Sequence, residues 1–331
     1  MLSAYLIKWP KPNAPVSSIK QHADRINKCL EYGFNQKAAQ TEFVGHGNAQ
    51  LLVANGSEQA VSFIQEGEKA TLFYGQSIAL NQFRDHHLSH INGHFCAIAI
   101  DSSGITINYD YTGIFRPYYI ETSDAIWITS HEWMLFAAKA VFPELNINAV
   151  TNLLLANWNI GGDALLNGVS RCKQLFNYRI IGNANLEAFP AQIEDSAYKS
   201  YNQVFEHLAE EMAELPNLLL ELTAGGDTRA LLGLMVSKGI KPHVVTVGHE
   251  QSVEFKTAAL ISKKLGLEHH HAKQTAVSEG EFEQLNRVLA LCSCGQANAK
   301  RTLLKTGIFD LNNPPQQSIV GGEFGGIYKG Y

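Results

Sequence analysis

The stretch LLLELTAGGDTRALLGLM, residues 218–235, decides how the second half of this chain is read. The apolar run 218–222 predicts a buried strand; small residues and an acid follow, and the pattern then turns helical. Strand, Gly-rich turn and helix N-terminus in that order are what an anion site needs. Backbone N–H groups are bare at the start of a helix, and its dipole favours negative charge. Gly225 and Gly226 carry no side chain to hold anionic oxygens away, Thr223 and Thr228 add hydroxyl donors, and Asp227 is placed to hold Mg²⁺ on the phosphates. The loop is not a Walker A motif, because no Gly-Lys-Ser/Thr follows. The competing reading is an ordinary strand–turn–helix junction with glycine serving the turn.

Outward from the loop, the pattern alternates. Upstream, Tyr198, Tyr201, Val204, Phe205, Leu208, Met212 and Leu215 fall three or four apart, which gives one apolar helical face, and Pro216 ends it. Downstream come a helix through Lys238, a strand HVVTVG (243–248), a helix VEFKTAALISKKLGL (253–267) and a short strand at HHHAK. This alternation predicts a parallel sheet with helices on both faces, and ligands in such sheets bind beyond the carboxyl ends of the strands. Before about residue 190 the character is different. AQLLVANG (49–56), QAVSFIQEG (59–67), KATLFYGQ (69–76), two runs joined by DSSG within 93–113, and PYYIETSDAIWITS (117–130) read as short strands of an antiparallel sheet. The segment 131–175 is more helical, most clearly at LNINAVTNLLLANW. The expected division is a β-rich domain over 1–192 and an α/β domain over 193–331.

Composition fits two globular domains: 331 residues, 45% hydrophobic and 17% charged. A net charge of −5 and the lack of a Lys/Arg-rich run give no footprint for nucleic acid or a membrane surface. Five scattered cysteines read as reduced thiols, and no apolar run approaches the roughly 18 residues that span a bilayer. The N-terminal apolar stretch is cut off by Lys8 and Pro10 before signal-peptide length. The expectation is a soluble cytoplasmic protein.

The second half resembles the synthetase domain of class B asparagine synthetases and their relatives, whose pyrophosphate loop reads SGGxDS; TAGGDT at 223–228 matches it position for position, with Ala224 replacing a glycine. VVTVGHEQSVEFKTAALISKKLGLEHH is similar to the strand and helix that follow in that family, with Glu254 near its usual acid. The first half resembles the family's glutamine amidotransferase domain, of the Ntn-hydrolase type. Asp110, Gly113, Pro117, Tyr118 and Tyr119 stand at matching positions, and Ser-His-Glu at 130–132 resembles its A-S-E. The resemblance covers about residues 90–331. It implies an ATP-dependent, AMP-forming amide ligase: a carboxylate attacks the α-phosphate of ATP to give an acyl-adenylate and pyrophosphate, and an amine then displaces AMP. Thr223, Gly225, Gly226 and Thr228, with Ala224 in the loop, would hold the pyrophosphate, and Asp227 the Mg²⁺. Leu222 and Val247 would flank the adenine, beside Gly248. A small-molecule or peptide carboxylate would be the substrate, with ammonia or an amine as donor; a homodimer is compatible, and oligomeric state stays open.

Two departures qualify the implied activity. The family's glutaminase nucleophile is a cysteine directly after the initiator Met, whereas residue 2 is Leu, and Tyr109 stands in place of an arginine. No glutaminase activity is expected. At the C-terminus, SIVGGEFGGIYKGY (318–331) is similar to the family's later motif through Gly321, Gly322 and the final Gly-Tyr, but Gly325 and Gly326 fall where its paired acids stand. Glu323 is the nearby carboxylate that would substitute as a metal ligand. Relatives continue past this point with an acceptor pocket, so the chain is read as a fragment or as incomplete at its active site.

Other features rank lower. His86, His90 and His94 are spaced like helical metal ligands, but Gly93 interrupts them. His269, His270 and His271 read as structural capping residues, and Cys292 and Cys294 as buried inert thiols. Besides the ligase, two readings stand: a degenerate relative that binds nucleotide or a partner without turnover, and another pyrophosphate-loop enzyme of the tRNA or sulfur-transfer type, against which the acidic charge and the lack of a CxxC argue.

Overall fold

A computed structural model describes residues 3–14, 18–34, 41–46, 48–54, 61–77, 93–110, 113–139, 142–156, 162–182, 185–191, 200–215, 217–273, 278–296 and 319–321. The chain forms two compact units, Met1–Ile193 with Glu279–Ala297, and Glu194–Ser278 with Asn298–Tyr331. The division is therefore not a single cut near residue 192, because a helix late in the chain belongs to the first unit.

That first unit is built on two six-stranded antiparallel sheets. One contains β1 (Ala4–Pro10), β2 (Thr41–His46), β3 (Ala49–Ala54), β8 (Tyr118–Glu121), β9 (Ala125–Thr129) and β10 (Ser170–Arg171), in the order β10-β8-β9-β1-β3-β2. The other contains β4 (Val61–Glu66), β5 (Lys69–Ser77), β6 (Gly93–Ile100), β7 (Gly104–Tyr109), β11 (Phe176–Ile181) and β12 (Glu187–Pro190), in the order β12-β11-β7-β6-β5-β4. Side chains alternate across a strand, so β1 feeds two cores. Tyr5, Ile7 and Trp9 pack with Leu51, Leu72, Ile98 and Ile107 between the sheets. Ala4 and Leu6 point the other way, into a core with Ile26, Leu30, Trp127, Met134 and Leu135. That second core is covered by α1 (Ala23–Phe34) and α2 (Glu132–Lys139). Burial on both faces makes β1 a continuous apolar run, which hides its period. Its Lys8 is only 1% exposed and sets its ammonium 5.3 Å from the centre of the Trp127 ring.

Two further described α-helices belong to this unit, α3 (Ile147–Ala156) and α7 (Glu279–Ser293). Gly33 of α1 leaves the space that Leu291 fills: a Cβ there would lie 2.0 Å from Leu291 Cδ1. Gln284 Nε2 donates to Gly33 O at 2.8 Å, and Trp133 Nε1 to Leu291 O at 3.0 Å. These contacts are what tie α7 to the first unit rather than to its neighbours in sequence.

The second unit holds a parallel sheet of β13 (Leu219–Glu221), β14 (His243–Val247), β15 (His269–Ala272) and β16 (Ile319–Val320), in the order β15-β14-β13-β16. Its described helices are α4 (Tyr201–Glu214), α5 (Gly226–Ser237) and α6 (Val253–Leu265). Ser252 Oγ caps α6 by accepting from Phe255 N at 3.1 Å, and Gly266 ends it at φ 66°, a left-handed conformation that glycine adopts without strain. The expectation of helices on both faces is corrected. Met212 of α4, Leu232 and Met235 of α5 and Ala258 of α6 all join Leu220, Leu222 and Val244 in one core, so the described helices share a face. The reason is topological: β13, β14 and β15 are laid down in one direction, and crossovers of one hand then stay on one side. Among the described residues no helix is long and apolar enough to cross a membrane.

Candidate functional site

In the second unit the strand order reverses at β13, which has β14 on one side and β16 on the other. A reversal of this kind opens a crevice beyond the carboxyl ends of the strands. The segment Leu222–Thr228 leaves β13 at that point, Val247 and Gly248 leave β14, and Gly321 follows β16. The structure thus gathers at one sheet end residues that lie about a hundred positions apart in the chain. Glu254 lies beyond them in the first turn of α6 and is exposed. Gly322 and Glu323, and the histidines proposed at 86 and 90, lie outside the described residues; of His94 only the backbone, in β6, is described.

The loop is held by its own hydroxyls. Thr228, 6% exposed, sets Oγ1 3.1 Å from Thr223 Oγ1 and accepts from Thr223 N at 3.2 Å. Thr223 Oγ1 in turn accepts from Gly225 N at 3.0 Å. Below the loop, Thr246 Oγ1 donates to Leu222 O at 2.8 Å. The two threonines therefore organise the loop, and their hydroxyls are partly committed to it. Arg229 Nε donates back to Gly225 O at 3.2 Å, which brings a cation to the mouth of the loop.

The glycines are not there for the turn. Gly225 sits at φ −64°, ψ 150°, and Gly226 begins α5; neither has a positive φ. Any residue adopts those angles. What glycine provides is space. A Cβ at Gly226 would meet nothing within 4 Å, and one at Gly225 would meet only Thr223 Oγ1, at 3.0 Å. As N-cap, Gly225 supplies no side-chain hydrogen bond, so no cap side chain occupies the approach to the start of α5.

Leu222 is fully buried in the core, so its side chain supports the loop from below rather than flanking a ligand. Val247 is partly buried against Leu219, Val245 and Ala272. Gly248 has φ 121°, a conformation that requires glycine, and its carbonyl lies 2.7 Å from His271 Nε2. One acid at this end was not singled out from sequence. Glu221 ends β13, and its Oε2 lies 3.9 Å from where a Cβ on Gly321 would be. It reads in sequence as an interruption of an apolar run; as the last residue of β13 it directly precedes the loop, and the β13–β16 pairing sets Gly321 beside it.

The first unit carries a second concentration of polar groups, of opposite character. His131 is 3% exposed and its Nδ1 lies 2.8 Å from Ser130 Oγ, which accepts from Tyr5 N at 3.0 Å. Burial holds His131 down to about 4. Glu132, 1% exposed, accepts from Leu165 N at 3.3 Å and Leu166 N at 3.2 Å, and burial raises its carboxyl to about 7 despite those donors. Burial pushes up the thiols of Cys29, Cys96, Cys172 and Cys294, those of Cys96 and Cys294 to about 12. None has the lowered pKa of an activated nucleophile. Cys292 is exposed and Cys294 half-buried, which corrects the expectation that both thiols of the pair are buried. His269–His271 lie in β15 rather than at a helix end, which corrects their reading as caps.

No protein-family model matches the chain, and no curated protein matches its sequence. Among solved structures it is similar to glutamine phosphoribosylpyrophosphate amidotransferase from B. subtilis, complexed with ADP and GMP: TM-score 0.36 and 10% identity, over 86% of this chain and 70% of that one. It is also similar to a structure described as the allosteric regulatory enzyme of purine biosynthesis, at TM-score 0.35 and 9% identity, over 97% of this chain and 80% of that one. Likenesses this loose transfer no residue role. The resemblance to asparagine synthetases rests on the motifs quoted above.

Proposed function

We propose that the chain is an ATP-dependent, AMP-forming amide ligase of the asparagine-synthetase type, which takes ammonia or an amine rather than glutamine. One observation carries this reading: at the strand-order reversal, Gly225 and Gly226 have backbone angles that need no glycine, yet they leave the start of α5 unobstructed. An anion that must approach backbone N–H groups closely accounts for both residues.

The donor set suits a pyrophosphate group. The N-terminal turn of α5 supplies backbone donors, and Arg229 adds charge at the loop. Asp227, in the first turn of α5, and Glu221, at the end of β13, are oxygen ligands of the kind Mg²⁺ takes. ATP with Mg²⁺ supplies an activated phosphorus and a screened leaving group. The chain's own contribution is to fix the polyphosphate, align the α-phosphate with the incoming carboxylate, and stabilise the charge on the departing pyrophosphate. Thr223 and Thr228 serve by keeping the loop in shape. The test is pyrophosphate exchange into ATP with a panel of amino-acid, peptide and sugar carboxylates; no exchange with any of them sinks the ligase.

A second reading, nucleotide binding without turnover, is favoured by Gly325 and Gly326 in place of the family's paired acids. Calorimetric ATP binding with no AMP release supports it, and steady AMP release excludes it.

A further inference from the structure

We infer that the second unit carries a transition-metal site of the zinc type, formed by His243, Glu268 and His270. His243 opens β14, and Glu268 immediately precedes β15. These strands pair in parallel with Val244 opposite His269 and Val245 opposite His270, so His243 stands beside Glu268. Positions 243 and 245 share one face of the sheet, as do 268 and 270. The pairing therefore puts two imidazoles and a carboxylate on the same face, at the amino ends of the strands, whereas the glycine loop leaves the carboxyl end of β13.

The geometry is that of a half-closed coordination site. Glu268 Oε2 lies 3.0 Å from His243 Nδ1, and Oε1 lies 3.1 Å from His270 Nε2. All three ligand atoms fall within 4.8 Å of one another. Tetrahedral Zn²⁺ with bonds of about 2.0–2.2 Å sets its ligand atoms roughly 3.3–3.5 Å apart, a spacing these side chains reach by rotation alone. All three are about half exposed, so rotation meets little packing resistance, and water completes the fourth position.

The neighbouring histidines show why this one is distinct. His269 is engaged by Thr246 Oγ1 at 3.0 Å and lies tilted against Phe255, ring centres 5.2 Å apart, and His271 is held by Gly248 O at 2.7 Å and Glu250 at 3.3 Å. Both lie on the opposite face from His270, where the fold already uses them. His270 instead meets Glu268, which it shares with His243 from the next strand. Two nitrogens and one carboxylate select Zn²⁺, Co²⁺ or Ni²⁺ over Mg²⁺ and Ca²⁺, which prefer all-oxygen shells. A bound ion would clip β14 to β15. The site is independent of the ligase proposal.

The test uses the full chain. Co²⁺ titration is expected to give the visible absorption of a four-coordinate site, saturating at one equivalent, displaced by Zn²⁺ and unaffected by excess Mg²⁺. H243A and H270A should each weaken binding at least tenfold, while H207A, which removes a helical His–Glu pairing on α4, should leave it unchanged. Without any substitution, Zn²⁺ should shield His243 and His270 of the native chain from diethyl pyrocarbonate, as mapped by peptide mass spectrometry. No four-coordinate spectrum, equal binding by H243A and H270A, or unchanged modification of the two histidines overturns the proposal and leaves two ion pairs to one carboxylate.

Discussion

The glycine loop of the second unit and the Ser130–His131–Glu132 cluster of the first solve opposite problems. The cluster concentrates titratable side chains and buries them: His131 is held down to about 4 and Glu132 raised to about 7. The loop offers backbone donors and open space at Gly225 and Gly226. Shifted pKa values often mark active sites, but they also arise wherever polar groups hold a fold together. Glu132 shows the second case, because its oxygens satisfy the backbone N–H groups of Leu165 and Leu166. The difference teaches that accessible, uncommitted space beside donors is better evidence for a ligand than perturbed titration inside a core.

The largest expected effect tests that structural role. Glu132→Ala strips the acceptors from two backbone donors and should cost about 2–5 kcal/mol in denaturant unfolding. Glu132→Gln, which keeps one carbonyl oxygen, should cost less. A change below about 1 kcal/mol in the Ala variant would break the assignment of Glu132 as a scaffold.

The adjacent His131 and Glu132 sharpen the contrast through pH. A carboxyl raised to about 7 keeps its proton longer in the folded than in the unfolded state, so its contribution to stability falls as pH rises from about 4.5 to 7. A histidine lowered to about 4 is charged in the unfolded state first, so its contribution falls as pH drops from about 6.5 to 4. The two oppose each other across the shared window. His131→Asn should expose the decline with rising pH, and Glu132→Gln the decline with falling pH, each on the order of 3 kcal/mol between the ends of its window. Parallel pH–stability curves for the two variants would refute this.

At the loop, Thr228→Val leaves the Thr223 N–H without its acceptor and should cost about 1–2 kcal/mol together with at least a tenfold loss in ATP affinity; Thr228→Ser should recover most of both. The smallest effect on folding is the most telling. Gly226→Ala adds a Cβ that meets nothing within 4 Å at the start of a helix, so stability should hold or rise by up to about 1 kcal/mol. ATP binding measured by calorimetry should nevertheless fall about tenfold. Unchanged affinity would mean that the space beside Gly226 is not for a ligand.

Much of the second unit was legible in the chain itself. The 218–235 pattern and the strand–helix alternation after it are local signals, and β13, α5, β14 and α6 follow them, α6 ending at Leu265 ahead of Gly266 rather than running to 267. Hairpins in the first unit were legible for the same reason: β6 and β7 flank DSSG, and β8 and β9 flank the turn at TSD. What stayed hidden depends on distant partners. β1 shows no period because both its faces are buried, and Lys8 looks like a strand breaker until Trp127 is placed against it.

By itself, then, the sequence determined the local elements and the residue types of the loop, because turn residues, caps and hydrophobic periods act over a few neighbouring positions. Only the tertiary structure decided that β16 pairs beside β13 and reverses the strand order there, that α7 packs on α1 through Leu291 and Gly33, that the described helices of the second unit share one face, and that His243 meets Glu268 and His270. Each depends on register or packing between segments far apart in the chain, and side-chain period carries no information about which strand lies next to which.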